Sequence, residues 1–139
     1  MDFHYVDLRV FCYATESEDR VREALELFLP PDAEVERAES EGHHGDTIAV
    51  LSSRVENADD VRHVFGKVME APESEEIEDE VDERVDDDCN FHLRLDKQAA
   101  YDGVVEIDSN GGIDLRAKAE AYPAKREKAV DAVDRSLFD

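Results

Sequence analysis

The chain has 139 residues, 41% of them hydrophobic, a length that favours one domain and a composition able to fill one core. Its 38 Asp and Glu outnumber 16 Lys and Arg, for a net charge of −22, so most carboxylates must lie in water. No apolar run approaches ~18 residues, and the opening MDFHYVDLRV lacks a basic stretch followed by an apolar one; this excludes a spanning helix and a secretory signal and implies a soluble, cytoplasmic protein.

Phe3 to Tyr13 alternates, with Val6, Leu8, Val10 and Cys12 on one face of a predicted strand and Asp7, Arg9, Phe11 and Tyr13 on the other. Thr15 and Glu18 form a capping box for a helix whose apolar stripe is Val21, Ala24, Leu25 and Phe28; Pro30-Pro31 stops it. A short strand at Ala33–Ala38 leads through the glycine-framed Gly42-His43-His44-Gly45 turn to a return strand at Thr47–Ser53. Asn57 or Ala58 opens a second helix carrying Val61, Val64, Phe65, Val68 and Met69, which Ala71-Pro72 ends. The acidic run that follows repeats Ile77, Val81 and Val85 every fourth residue, a pattern that favours a lightly docked helix over disorder across 72–88.

Phe91, Leu93 and Leu95 then alternate with His92, Arg94 and Asp96 as a further strand, and Lys97–Tyr101 is a helical turn closed by Gly103. Val104–Ile107 and Ile113–Ala121 read as a hairpin around Ser109-Asn110-Gly111-Gly112. Pro123 suits the first turn of a last helix bearing Ala129, Val130, Val133 and Leu137. The order β-α-β-β-α-(α)-β-β-β-α predicts one α+β domain over 1–139, an antiparallel sheet with helices packed on one face.

The other face of that sheet collects Arg9, Phe11 and Tyr13 from the first strand, His92 and Arg94 from the fourth, and Arg116, Lys118 and Tyr122 from the last. Aromatic rings between arginines and lysines on an open sheet suit stacked bases and phosphates of single-stranded RNA. The same face could instead be covered by the acidic helix or by a twofold partner. In Arg94-Leu95-Asp96-Lys97-Gln98 a strand end meets a helical turn, where backbone N–H groups beside Lys97 could meet a phosphate. The plainer reading of that segment is a capped helix start, with Asp96 as N-cap and Arg94 paired at the surface.

His43 and His44 are adjacent, so they point apart on a strand or tight turn, and no third ligand lies at metal spacing; a hairpin loop that touches a ligand through its backbone is the expectation. Cys12 and Cys89 have no spacing motif for zinc or disulfides and no local histidine for nucleophilic work. Phosphate-binding glycine loops and the nucleophile-elbow motif are missing, so neither a cofactor nor an enzyme is expected.

Residues 1–88 carry 28 acids and 8 bases, whereas residues 89–139 carry 10 acids and 8 bases. Something spares the C-terminal third, and binding is the natural candidate. Lysine is scarce, with five against eleven arginines, a balance that fits a cytoplasm of very high salt where the Debye length falls to ~3 Å at 1 M.

Tyr13-Ala14-Thr15-Glu16, Gly42-His43-His44-Gly45-Asp46, Arg94-Leu95-Asp96-Lys97-Gln98-Ala99-Ala100 and Ala121-Tyr122-Pro123 occur in that order. The ordered set resembles an archaeal family of predicted RNA-binding or exosome-subunit proteins, from about Phe3 to Leu137. The resemblance implies a fold like a double-stranded-RNA-binding domain and RNA association without catalysis, with an exosome or ribosome as setting. It carries function onto Thr15, Glu16, Gly42 to Gly45, Arg94, Asp96, Lys97, Gln98, Lys118 and Tyr122. Two readings stand: a non-catalytic RNA-binding protein, and a homodimeric interaction module whose open sheet face is the interface.

The charge balance generates a first prediction. Thermal unfolding should occur at a lower temperature in about 0.1 M KCl than in about 2 M, because dilution restores self-repulsion among the carboxylates. A melting temperature equal or higher in the dilute buffer sinks the high-salt reading.

Overall fold

The computed structural model describes residues 2–41, 45–107 and 111–138. Five strands, β1 (Phe3–Cys12), β2 (Glu36–Glu41), β3 (Thr47–Val55), β4 (Asn90–Asp96) and β5 (Gly112–Ala119), form one antiparallel sheet in the order β2-β3-β1-β5-β4. Five helices accompany them: α1 (Glu18–Glu26), α2 (Ala58–Val68), α3 (Ser74–Arg84), α4 (Lys97–Tyr101) and α5 (Arg126–Phe138). The α+β class and the open antiparallel sheet are those the sequence pattern predicts. None of these helices is long and apolar enough to cross a membrane.

The pleat of β1 sorts its side chains. Val6, Leu8 and Val10 are fully buried, and β5 answers with Ile113, Leu115 and Ala117, β4 with Phe91, Leu93 and Leu95. Onto this face α1 places Val21, Ala24 and Leu25, α2 places Val61, Val64 and Phe65, and α5 places Ala129, Ala132 and Val133. Phe65 is the hub: its ring stacks on Phe3 at 4.8 Å between centroids and meets Phe91 at 6.4 Å. Such aromatic pairs add specificity beyond their burial. α3 buries Ile77 and Val81 against β4 and α5, and Val85 bridges to Phe91. It therefore lies along the β4 side and leaves the opposite face of the sheet open.

Several local expectations differ from the structure. The N-cap of α1 is Ser17, whose hydroxyl accepts from the Arg20 N–H at 3.4 Å, not Thr15 with Glu18. Thr15 and Glu16 belong to the preceding turn, in which the Glu16 N–H donates to the Tyr13 carbonyl. β2 begins at Glu36 rather than Ala33, because Pro30 holds Ala33 in a turn through its carbonyl. The 104–107 segment does not pair with β5. Both edges of β5 are taken by β1 and β4, so this segment has only the end of β4 left, where Ile107 bridges to Leu95 and the Asp96 N–H donates to the Glu106 carbonyl. β5 itself ends at Ala119. Pro123 stands three residues ahead of α5, after a cis bond to Tyr122, and its carbonyl accepts from the Lys125 N–H. Asn57 does cap α2, accepting from the Asp59 N–H at 2.8 Å.

Val10→Ala and Val133→Ala should each lower unfolding free energy by about 1–3 kcal/mol, from lost burial and a residual cavity. Arg9→Ala, on the open face beside Val10, should cost far less. Equal losses at Val10 and Arg9 in denaturant titrations would show the β1 register to be wrong.

Candidate functional site

Residues directly opposed in antiparallel strands project from the same face, with side chains close enough to touch. The registers therefore lay two rows across the open face. One row runs Arg54, Asp7, Arg116 and His92 over β3, β1, β5 and β4; the next runs Ser52, Arg9, Asp114 and Arg94. Arginine and aspartate alternate along and between the rows.

Each aspartate lies between two arginines from other strands. Asp7 receives a forked contact from Arg54, at 2.7 Å to Oδ1 and 2.9 Å to Oδ2, and a further hydrogen bond from Arg116 at 3.0 Å. Asp114 lies 3.4 Å from Arg9 and 3.3 Å from Arg94. Partial burial pushes the Asp7 carboxyl up, but the hydrogen bonds and charges of Arg54 and Arg116 outweigh it and hold it below the usual carboxylate range. The two rings on the face support the guanidinium groups: Arg54 sits 3.9 Å above the Tyr5 ring and Arg9 5.2 Å from the centre of Phe11. These cation–π contacts hold Arg9 and Arg54 in place on the face. All four arginine side chains remain about half exposed.

Four arginines gather with two aspartates at the centre of this face, a local concentration of cations in a chain of net charge −22. They floor a shallow depression of about 840 Å³, whose β2 side is closed by Glu34, Glu36 and Glu56. At the β4 end, His92 pairs with Asp86 at 2.7 Å, and the Lys118 ammonium donates to the Asp88 carbonyl. These contacts fold the α3–β4 loop onto the rim of the face. Partial burial raises the Asp86 carboxyl, and His92 with the N–H groups of Asn90 and Asp88 more than reverses the shift.

The structure thus brings together Arg9, Phe11, Arg94 and Arg116, with His92 and Lys118 at the margin. It sets Lys97 elsewhere. The Lys97 side chain is buried, and its ammonium donates to Glu16 Oε1 at 2.8 Å and to the Phe11 carbonyl at 2.7 Å. Tyr101 donates to the other Glu16 oxygen at 2.6 Å, and the Tyr13 N–H donates to the first at 3.1 Å. Burial raises the Glu16 carboxyl, but these donors, Lys97 foremost, hold it below the ordinary glutamate range. For the 94–98 segment the plainer reading describes the geometry: Asp96 caps α4 by accepting from the Ala99 N–H, and Arg94 pairs with Asp114. Lys97 is the exception, an internal cation rather than a surface one. Gly112, at φ +116°, passes so close that a Cβ there would lie 2.6 Å from the Lys97 Cβ, so glycine is required at this crossing.

Tyr13 is half exposed beside the Lys97 ammonium, 5.3 Å from its ring centre, and Gln98 is exposed on α4. Tyr122 is 97% exposed and lies beyond the end of β5, off the sheet. His43 and His44 lie outside the described residues. Among the described residues no three His, Cys, Asp or Glu side chains converge as a metal site. Burial pushes the Cys12 thiol up, the opposite of an activated nucleophile. Arg54 escaped the sequence reading because the predicted strand stopped at Ser53; one more step of the same alternation puts it on the open face, and the register between β1 and β3 puts it beside Asp7.

The fold and this face define an open-faced α+β protein with a one-sided arginine lattice. A family model described as RNA binding matches residues 5–119, and the chain belongs to that family. A protein of Pyrococcus abyssi named as an RNA-binding protein is 32% identical over 139 residues, spanning 94% of this chain and 90% of its own. An uncharacterised protein of Methanocaldococcus jannaschii is 30% identical over 146 residues, 95% of this chain and 96% of its own. The solved structure of a DUF54 protein from Methanothermobacter thermautotrophicus superposes with a TM-score of 0.82 at 40% identity, covering 97% of this chain and 98% of that one.

The Lys97–Glu16 contact generates a prediction of its own. A depressed glutamate pKa contributes stability that is present above the unfolded-state value and is lost as pH falls through the ordinary glutamate range and below it. Lys97→Ala should cost about 1–3 kcal/mol at neutral pH by leaving the Glu16 carboxylate without its cation. Acid titration of unfolding should show wild type and Glu16→Gln converging as pH drops. A constant gap between the two down to the lowest accessible pH would refute the assignment.

Proposed function

We propose that this protein binds RNA through the open face of its sheet, without catalysis. The observation that carries the proposal is the arginine lattice: four half-exposed guanidinium groups share one face of a strongly acidic chain. Membership of an RNA-binding family and a relative named for RNA binding support the same reading. Arginine is suited to the task because its planar fork meets two phosphate oxygens at once. Arg9, Arg54, Arg94 and Arg116 supply the phosphate contacts, while Lys118 and His92 flank them at one end. Tyr5 and Phe11 act mainly through the guanidinium groups they carry, so the backbone is engaged more than the bases.

The charge of the face argues against an apolar twofold interface. Two copies of this face would meet through half-exposed charged side chains, around a centre lacking an exposed apolar patch among the described residues. No described residue speaks to an exosome or a ribosome, and RNA itself is the partner proposed. The acidic surroundings, Glu34, Glu36 and Glu56 nearest, confine a polyanion to the lattice.

Arg9→Gln, Arg54→Gln and Arg116→Gln should each weaken binding of a labelled mixed-sequence RNA. Each should also make the slope of log K against log salt shallower by about 0.7–0.9, as expected when one phosphate fewer is neutralised. Fluorescence anisotropy at several KCl concentrations, all high enough to keep the fold, measures both. Failure of the wild type to bind either single- or double-stranded RNA across that range would refute the proposal.

A further inference from the structure

The two aspartates of the lattice have no evident reason to be there if the face serves only to attract phosphate. Asp7 sits where Arg54 and Arg116 converge, and Asp114 where Arg9 and Arg94 converge. Each carboxylate thus occupies the position at which two guanidinium groups would otherwise deliver a forked contact to a phosphate. We infer that Asp7 and Asp114 stand in for two backbone phosphates, and that a phosphodiester chain docks by exchanging with them along a line that crosses the strands from β3 to β4. This rests on the RNA-binding reading and specifies its site: the backbone of a polymer, not a base and not a mononucleotide.

Three observations carry it. The arginines form a zigzag, Arg54, Arg9, Arg116, Arg94, with one step per strand. Strand spacing and rise put neighbouring Cα atoms of that zigzag about 8 Å apart, and the whole line spans about 14 Å across the sheet. Along the strands the lattice is only two rows deep, so the long axis of positive charge is the one across them. Second, the Phe11 and Tyr5 rings hold Arg9 and Arg54 on this face by contacts that do not involve the carboxylates, so these two groups stay in place when a carboxylate lets go. Third, the guanidinium groups are about half exposed, and the longer contacts of Asp114, itself 38% exposed, make it the easier of the two carboxylates to exchange with another anion, Asp7 being the more covered at 22%.

The consequence is selectivity. A single phosphate must displace a tethered carboxylate whose effective concentration is high, and it loses. A polymer that reaches several forks at once recovers the difference by multivalency.

The test is neutralisation of the carboxylates. Anisotropy with a labelled 20-nucleotide mixed-sequence RNA would compare wild type, Asp7→Asn, Asp114→Asn and the double variant, each first shown by thermal unfolding to be folded. Glu127→Gln, an exposed change on α5 well away from this face, controls for net charge alone. Each Asn variant should bind RNA about three- to tenfold more tightly, Glu127→Gln by much less, and the double variant should begin to bind adenosine monophosphate. Asp114→Asn, whose contacts are the longer ones, decides the matter if Asp7→Asn does not fold. Equal or weaker RNA binding by a folded Asn variant overturns the inference while leaving the RNA-binding reading intact, as does an equal gain in Glu127→Gln. Silence of wild type and every variant toward RNA overturns the reading beneath it as well.

Discussion

Everything in this molecule hangs on the two-residue alternation of β1 at the centre of the sheet. The strand is hydrogen-bonded on both sides, to β3 and β5, so it can neither twist away nor trade partners. Val6, Leu8 and Val10 face the helices, and Asp7 and Arg9 between them face solvent. A slip of one residue would bury two charges and expose three valine or leucine side chains, which costs far more than any turn could repay. The core and the charged face are therefore two consequences of one register. That is why the lattice on the open side can be ordered without being packed: its backbone is held from the other side.

The alternating strands and amphipathic helices were legible because each has one buried face, and burial imposes a period that survives in the sequence. What escaped were contacts made between segments distant in the chain. Lys97 follows a strand of alternating residues and looks like a surface cation, yet it is drawn inside by Glu16, 81 positions earlier in the chain. Nothing local announces that pair. The hairpin expected at 104–121 failed for a related reason. Asn-Gly-Gly favours a turn, but which strands flank it depends on what else competes for the edges of β5, and β1 and β4 are both longer than the 104–107 segment.

The site shows the same division. Arg9, Arg94 and Arg116 were on the expected face because strand periodicity alone puts them there. Arg54 and the two aspartates become part of a site only through the register between strands, which pairs Asp7 with Arg54 on one side and Arg116 on the other. Aromatic residues were expected to be free platforms for bases. In the folded chain the Phe11 ring is occupied by the Arg9 guanidinium, and Tyr5, which the alternation reading left out, carries Arg54, so rings on this face serve to hold charge.

Charge along the chain and charge on the surface tell different stories. The C-terminal third is nearly neutral, which draws attention to β4 and β5, the strands that carry Arg94 and Arg116. Half of the lattice nevertheless comes from the most acidic part of the sequence, because Arg9 and Arg54 sit on β1 and β3. An average over 88 residues hides them. Folding separates what the average mixes: α3 carries its carboxylates along the β4 side, β2 carries glutamates on the opposite edge, and the arginines are left between them. An approaching polyanion meets repulsion at both margins and attraction only along the strip between. On the proposed reading, the acidity of the chain narrows where phosphate can bind rather than preventing it.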